Sequence, residues 1–243
     1  MADPGHYHYD GRELEALSAT SHYQRWIVEQ FAPHLSGRIM EIGAGIGTMA
    51  RYWLDYSDEL HLIEPAHNLY AVLEREFGAH PAVTLYRGTL DGAICAPKTS
   101  GSLPFDAVVM VNVLEHIADD AEIMRTIFRL LKPGGRLLIF VPALPALYGS
   151  LDRVFGHCRR YTKSSLERLV AGAGFGVVRV RYFDILGVLP WWIVGRLARS
   201  RIISPTMAGL YDRIAVPVGR VLETVVPPPF GKNLVLIARK NGA

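Results

Sequence analysis

Glu41-Ile42-Gly43-Ala44-Gly45-Ile46-Gly47 places three glycines directly after a short apolar run. Glycine adopts backbone angles closed to other residues and lets a ligand come close to the main chain. Glu64 ends the next apolar run, where a carboxylate can accept hydrogen bonds from both hydroxyls of a ribose. Glu41, two residues before the first glycine, can orient the turn or accept from a cationic amino group. These features together point to a bound nucleoside. His116, just past a later apolar run, could take a proton from an oxygen or nitrogen nucleophile because imidazole titrates near neutrality. It could equally cap a helix or pack against its loop. In Gly156-His157-Cys158-Arg159-Arg160-Tyr161, paired arginines could hold a phosphate or carboxylate, or brace the loop against acids such as Asp152.

The elements that must position these residues follow from periodicity. Residues 11–35 read as helical, with Leu14, Leu17, Trp26, Ile27 and Phe31 on the apolar side and a stop near Pro33. Apolar runs at 38–42, 60–64, 83–86, 105–111 and 136–141 read as strands one to five. A helix from about Ala66 to Phe77 follows strand two. Another is capped by Asp119 with Glu122 and carries Ile123, Ile127 and Leu130. Ser164 with Glu167 resembles a second capping box. Strands six and seven are expected at Val177–Tyr182 and Asn233–Ala238. Strands alternating with helices imply right-handed crossovers and a mainly parallel doubly wound sheet, with ligands at the carboxyl ends of strands where the order reverses.

A dinucleotide fold is the rival reading of the glycine turn. Its fingerprint is G-x-G-x-x-G, whereas this chain has G-x-G-x-G and carries Thr48 where the third glycine would stand. Glu41 would also be poorly placed beside a pyrophosphate.

Glu41 to Gly47 resembles motif I of class I S-adenosylmethionine-dependent methyltransferases, of the type found in small bacterial members, and Glu64-Pro65 resembles their motif II acid. Phe105 to Ile117 is similar to their strand-four segment, and Leu130-Leu131-Lys132-Pro133-Gly134-Gly135-Arg136-Leu137 to the turn before strand five. These motifs span roughly residues 38–142 in order. The resemblance implies a Rossmann-like seven-stranded sheet and S-adenosylmethionine as cofactor, with S-adenosylhomocysteine as product. It implies that Gly43, Ala44, Gly45 and Gly47 wrap the methionine moiety, with Glu41 beside them, and that Glu64 and Pro65 meet the ribose. Thr89 and Leu90 would flank the adenine, and Asn112 and Val113 would lie near the methionine part. Helices before strand one would fold over the cofactor, making Tyr9, Tyr23 and Trp26 a water-excluding lid. His116 is the candidate catalytic base, although alignment alone can accelerate displacement from a sulfonium. His157, Arg160 and Tyr161, with Tyr148 and Trp192, are the candidate acceptor contacts. No N/D-P-P-Y/F motif follows strand four, which argues against amino methylation of DNA bases or glutamine.

The 243 residues are half hydrophobic and carry a net charge of +3, too little to imply nucleic acid. Cys95 and Cys158 form no C-x-x-C pair, and no metal site is expected; His6 and His8 read as a frayed terminus. The N-terminus lacks a signal-peptide pattern, and no run approaches the ~20 apolar residues of a spanning helix. The expected setting is cytoplasmic, with the option of a peripheral membrane position. A single domain is expected: an N-terminal helical lid over 1–36, a core over 37–184, an apolar insert over 185–231, and a last strand and tail over 232–243. Pro190, Pro205 and Pro217 are expected to break the insert into short helices. Its apolar and arginine residues over 185–225 fit a membrane face, a homodimer interface, the roof of a lipophilic pocket or plain core. On a helix Trp191 and Trp192 point about 100° apart, so at least one should face something other than core. The function expected is methyl transfer to a small or lipophilic acceptor at oxygen or nitrogen. A non-catalytic or non-methylating S-adenosylmethionine-binding protein is the alternative.

Overall fold

Continuous apolar runs pair in the interior of the sheet, where helices cover both faces. In the computed structural model, which describes residues 8, 9, 20–90, 104–202 and 204–242, seven strands form one sheet in the order β3-β2-β1-β4-β5-β7-β6. They are β1 (Arg38–Ile42), β2 (Glu59–Glu64), β3 (Val83–Arg87), β4 (Phe105–Val111), β5 (Leu131–Pro142), β6 (Phe175–Phe183) and β7 (Asn233–Lys240). The first five pair in parallel, whereas β7 runs antiparallel to both β5 and β6. The order reverses between β1 and β4, so their carboxyl ends open the crevice in which doubly wound sheets bind ligands.

Alternation along β5 divides the core. Leu137, Ile139 and Val141 face one side, packed under α4 (Asp120–Leu130) and α6 (Lys163–Gly172) through Met124, Ile127, Leu166 and Val170. Leu138 and Phe140 face the other, under α1 (Ser21–Phe31), α2 (Ala50–Trp53), α3 (His67–Phe77) and α8 (Pro205–Val225). α4 is capped as its sequence implies, Asp119 accepting from the Glu122 N–H at 2.9 Å. For α6 the expected Ser164/Glu167 cap gives way to Thr162 and Ser165 two residues earlier, whose hydroxyls and backbone N–H groups satisfy one another.

The N-terminal helix is described from Ser21, and residues 10–19 with His6 and Cys95 lie outside the described residues. α1 has no cap of its own, and a distant acid supplies one. Asp212 of α8 accepts from the His22 and Tyr23 N–H groups at 3.1 and 2.8 Å. The insert therefore holds the N-terminal helix over the crevice. Its prolines do not divide it as expected. Pro205 opens α8 at the first turn, and Pro217 sits inside a helix that runs on to Val225. Pro217 and Arg213, whose carbonyl it leaves unbonded, are both exposed, so water can take the place of the lost bond. Before it, α5 (Ser150–Val154) precedes the arginine loop, and α7 (Val188–Trp192) continues as a π-helical turn over Ile193–Leu197.

Candidate active site

The crevice holds a cavity of about 280 Å³ at the ends of β1, β2 and β4. Its floor is the glycine turn. Gly43, Gly45 and Gly47 all have positive φ, and a Cβ on Gly43 would sit 2.5 Å from a methyl of Val113. The turn is pinned to β2, with the Gly43 and Ala44 N–H groups both donating to the Ile63 carbonyl at 2.9 and 3.0 Å. Glu64 completes the tie. One oxygen accepts from the Gly45 N–H and the other from the Ala66 N–H, each at 2.8 Å. Burial raises its pKa and these two donors oppose the rise. Each oxygen keeps a lone pair, so the carboxylate can still receive a pair of ribose hydroxyls.

Glu41 projects from β1 into the same cavity and is almost fully buried, with one oxygen lacking any hydrogen-bond partner. Burial and the nearby Glu64 charge push its pKa up to about 8. An orphaned buried carboxyl is costly unless a ligand completes it, and an amino acid's ammonium group is a suitable complement. The floor thus fits the ribose and methionine ends of S-adenosylmethionine.

Asn112 and Val113 line the wall, Asn112 at positive φ. Tyr9 and Tyr23 overhang the cavity. Tyr9 exchanges hydrogen bonds with the Asn68 side chain of α3 at 2.9 and 3.0 Å. Several expectations change. Trp26 points into the core, its ring 3.9 Å from that of Phe183, and does not reach the cavity. Gly47 lies behind the wall, where its missing Cβ makes room for Phe77 and Leu73 of α3. Thr89 is exposed and Leu90 is packed in the core, so neither lines the cavity.

A cluster of polar side chains lines another part of the cavity. His116 and His157 line it with ring centroids 4.9 Å apart. Burial and the neighbouring His157 depress the His116 pKa to about 4, so this imidazole is neutral at pH 7 and a poor proton acceptor. His157 is placed differently. Its Nδ1 lies 2.8 Å from Asp152, which also takes Arg160 Nε at 2.7 Å. Arg160 donates further to the Ala143 carbonyl and lies over the Trp191 ring at 5.0 Å. Arg159 is spent on Asp120 at 2.7 Å, so the arginines brace the loop, although Arg160 also borders the cavity. Tyr161 and Tyr148 do not line the cavity. The Tyr161 hydroxyl donates to Asp120 at 2.9 Å, and that of Tyr148 to the His157 carbonyl at 2.8 Å. Glu115 is fully buried behind the histidines, both oxygens lacking a partner, and burial pushes its pKa up to about 8. Glu115, His116 and His157 present ligand atoms within 4.8 Å of one another, a grouping that could hold a metal ion although none was expected.

The tryptophan pair splits. Trp191 enters the cavity wall, and Trp192, expected to meet the acceptor, faces outward. Lys232 and Asn233 also line the cavity and were not anticipated, because only the antiparallel placement of β7 beside β5 brings its first residues there. The one sequence cue was Pro227-Pro228-Pro229, which directs the chain back to the sheet.

A model of the methyltransferase domain matches residues 17–180. The chain belongs to the methyltransferase domain family. Its fold is that of the class I methyltransferases, and membership of the family supports S-adenosylmethionine as its cofactor. It is 31% identical over 102 residues to a ubiquinone biosynthesis O-methyltransferase of Xanthomonas oryzae pv. oryzae, a match covering 42% of this chain and 41% of that protein. The chain thus spans less than half the length of that curated relative. An S-adenosylmethionine-dependent methyltransferase of Archaeoglobus fulgidus superposes with TM-score 0.58 at 18% identity, covering 94% of this chain and 98% of that one. Phosphoethanolamine N-methyltransferase 2 of Haemonchus contortus, solved with S-adenosylmethionine, gives TM-score 0.58 at 20% identity, covering 92% and 53%.

With Glu41 at the cofactor, its raised pKa should make binding pH-dependent. An ammonium group of the cofactor beside Glu41 would favour the carboxylate, so affinity should rise as pH approaches about 8, with a proton released on binding at pH 7. Calorimetry in buffers of different ionisation enthalpy measures that release; its absence at pH 7 would remove Glu41 from the site. The effect on the free protein has the opposite sense. Unfolded, Glu41 ionises near pH 4.5, whereas folded it keeps its proton to about 8, so it costs stability as pH rises between those values. Glu41→Gln should therefore make the free protein more stable at pH 7, by roughly 1–3 kcal/mol, while weakening cofactor binding. Urea titration with and without cofactor separates the two effects.

Proposed function

We propose that the enzyme methylates an oxygen of a small, lipophilic acceptor, with His157 receiving the acceptor's proton. The observation that carries this reading is the His157–Asp152 contact at 2.8 Å on the cavity wall. An Nδ1–H held by a buried carboxylate leaves the lone pair on Nε2, the arrangement a general base needs, with Glu115 Oε1 3.9 Å from that nitrogen. S-Adenosylmethionine supplies a methyl group on a positively charged sulfur, open to in-line displacement. The chain's own residues hold the acceptor hydroxyl in line and move its proton to His157 Nε2 as the new carbon–oxygen bond forms. His116, held neutral, packs against His157 and can donate or accept a hydrogen bond without competing for the proton. Ile27, Leu69, Val111, Phe140, Phe155 and Trp191 give the cavity an apolar wall, which suits an aromatic or otherwise lipophilic acceptor. The O-methyltransferase named above adds support for oxygen over nitrogen.

The test is release of S-adenosylhomocysteine on addition of candidate acceptors, comparing phenols with amines of matched size. Turnover with amines and none with phenols would overturn the assignment to oxygen. Glu64→Ala should weaken cofactor binding by roughly 1–3 kcal/mol, the scale of lost charged hydrogen bonds.

A further inference from the structure

α8 is inverted relative to an ordinary surface helix. Its two acids face the protein interior. Asp212 caps α1, and Glu223 accepts from Arg181 at 2.8 Å and from the Ile185 N–H at 2.9 Å. Most of its large aliphatic residues face outward, Val216 alone being buried in the core. Met207, Leu210, Ile214, Val218, Val221 and Val225 are each 52–75% exposed. At about 100° per residue they fall on one stripe running the length of the 21-residue helix. The preceding segment adds Leu189, Trp192, Ile193, Leu197 and Ile202, all exposed. An outer surface this large and apolar marks a binding face.

Charge decides what it binds. Asp212 and Glu223 are the acids of the insert and both are buried, whereas Arg196, Arg199, Arg201, Arg213 and Arg220 are all exposed, Arg220 pairing with Glu29 at 2.7 Å. A two-fold copy of this chain would bring a second arginine rim against the first. Anionic lipid headgroups complement that rim while acyl chains take up the stripe. No helix of the described residues is long and apolar enough to cross a membrane, and a helix with this charge distribution lies in the interface instead. α7 joins the two surfaces, with Trp191 in the cavity wall and Trp192 on the outer face.

We propose that the face formed by α7, the π-helical turn and α8 docks on an anionic membrane surface, placing the cavity mouth beside the lipid from which a lipophilic acceptor is drawn. The docking itself does not depend on the methylated atom; the route of the acceptor rests on the reading above.

The test is flotation of the full chain with vesicles of phosphatidylglycerol and phosphatidylcholine, and with phosphatidylcholine alone. Binding is expected to the anionic vesicles and to weaken as salt rises. Leu210→Glu/Ile214→Glu/Val221→Glu should lower vesicle affinity at least about tenfold with cofactor affinity unchanged. Arg199→Gln/Arg201→Gln/Arg213→Gln touches no core residue and should do the same for anionic vesicles, which covers the case in which the first variant fails to fold. Failure to float with anionic vesicles overturns the proposal, as does a dimer in sedimentation equilibrium that the glutamate variant splits. Cofactor calorimetry on the same samples reports on the methyltransferase site separately.

Discussion

His157→Ala is expected to lower turnover by roughly 10²–10⁴-fold, the usual contribution of a positioned general base, with cofactor affinity near wild type. The ring belongs to the cluster with Asp152 and Arg160, and Glu41 and the glycine turn are not among its contacts, so binding and chemistry should separate. His116→Ala should have a smaller effect, because an imidazole with a pKa of about 4 is a weak proton acceptor at neutral pH. Single-turnover rates with saturating cofactor distinguish the two. If the His116 variant is the slower enzyme, the roles assigned to the two histidines are reversed.

The second large effect is on stability. Asp152 is fully buried and holds both His157 and Arg160, whose side chain is 1% exposed. Asp152→Ala leaves a guanidinium buried beside Trp191 with the Ala143 carbonyl as its remaining hydrogen-bond partner. Removing one member of a buried ion pair typically costs about 3–5 kcal/mol. A urea midpoint showing a loss below about 1 kcal/mol would mean that water reaches Arg160. Asp152 itself is held ionised, the His157 and Arg160 contacts keeping its pKa below the usual aspartate value despite burial. Its contribution is therefore present above the unfolded aspartate pKa and lost as pH falls through the lower folded value. Where Asp152→Asn folds, it should still slow turnover, because an amide can present its N–H to Nδ1 and fix the wrong tautomer.

The two histidines show why a site residue can be legible while its role is not. His116 follows the fourth strand, and a strand end at the order reversal faces the ligand crevice whatever surrounds it. His157 came into view through its arginine neighbours, as an acceptor contact. Its orientation depends on Asp152, five residues earlier on a separate short helix, and chain distance gives no sign of that contact. Arg160 and Tyr161 drew attention for their chemistry, yet one is neutralised by Asp152 and the other spends its hydroxyl on Asp120.

Local rules were enough wherever local geometry sets the outcome. The glycine turn, the acid closing β2, the apolar run of β4 and the Asp119 cap each fix their neighbours' backbone through short-range hydrogen bonds or sterics, and so were readable from the chain alone. The mainly parallel sheet followed from their order, and the cofactor from the family resemblance those motifs carry. Tertiary structure decided the rest. A helix period places Trp191 and Trp192 on different sides but cannot say which side the cavity is on; that depended on the tertiary packing that sets the Trp191 ring beside Arg160 and Lys232. Trp26 and Gly47 have the types expected of site residues, but Phe183 and Phe77 pull them into the packing. Pro217 reads as a break until the exposed side of α8 lets water take the place of the missing hydrogen bond. The inversion of that helix was equally hidden, since its acids turn inward only because α1 and β6 present donors that arrive from distant parts of the chain.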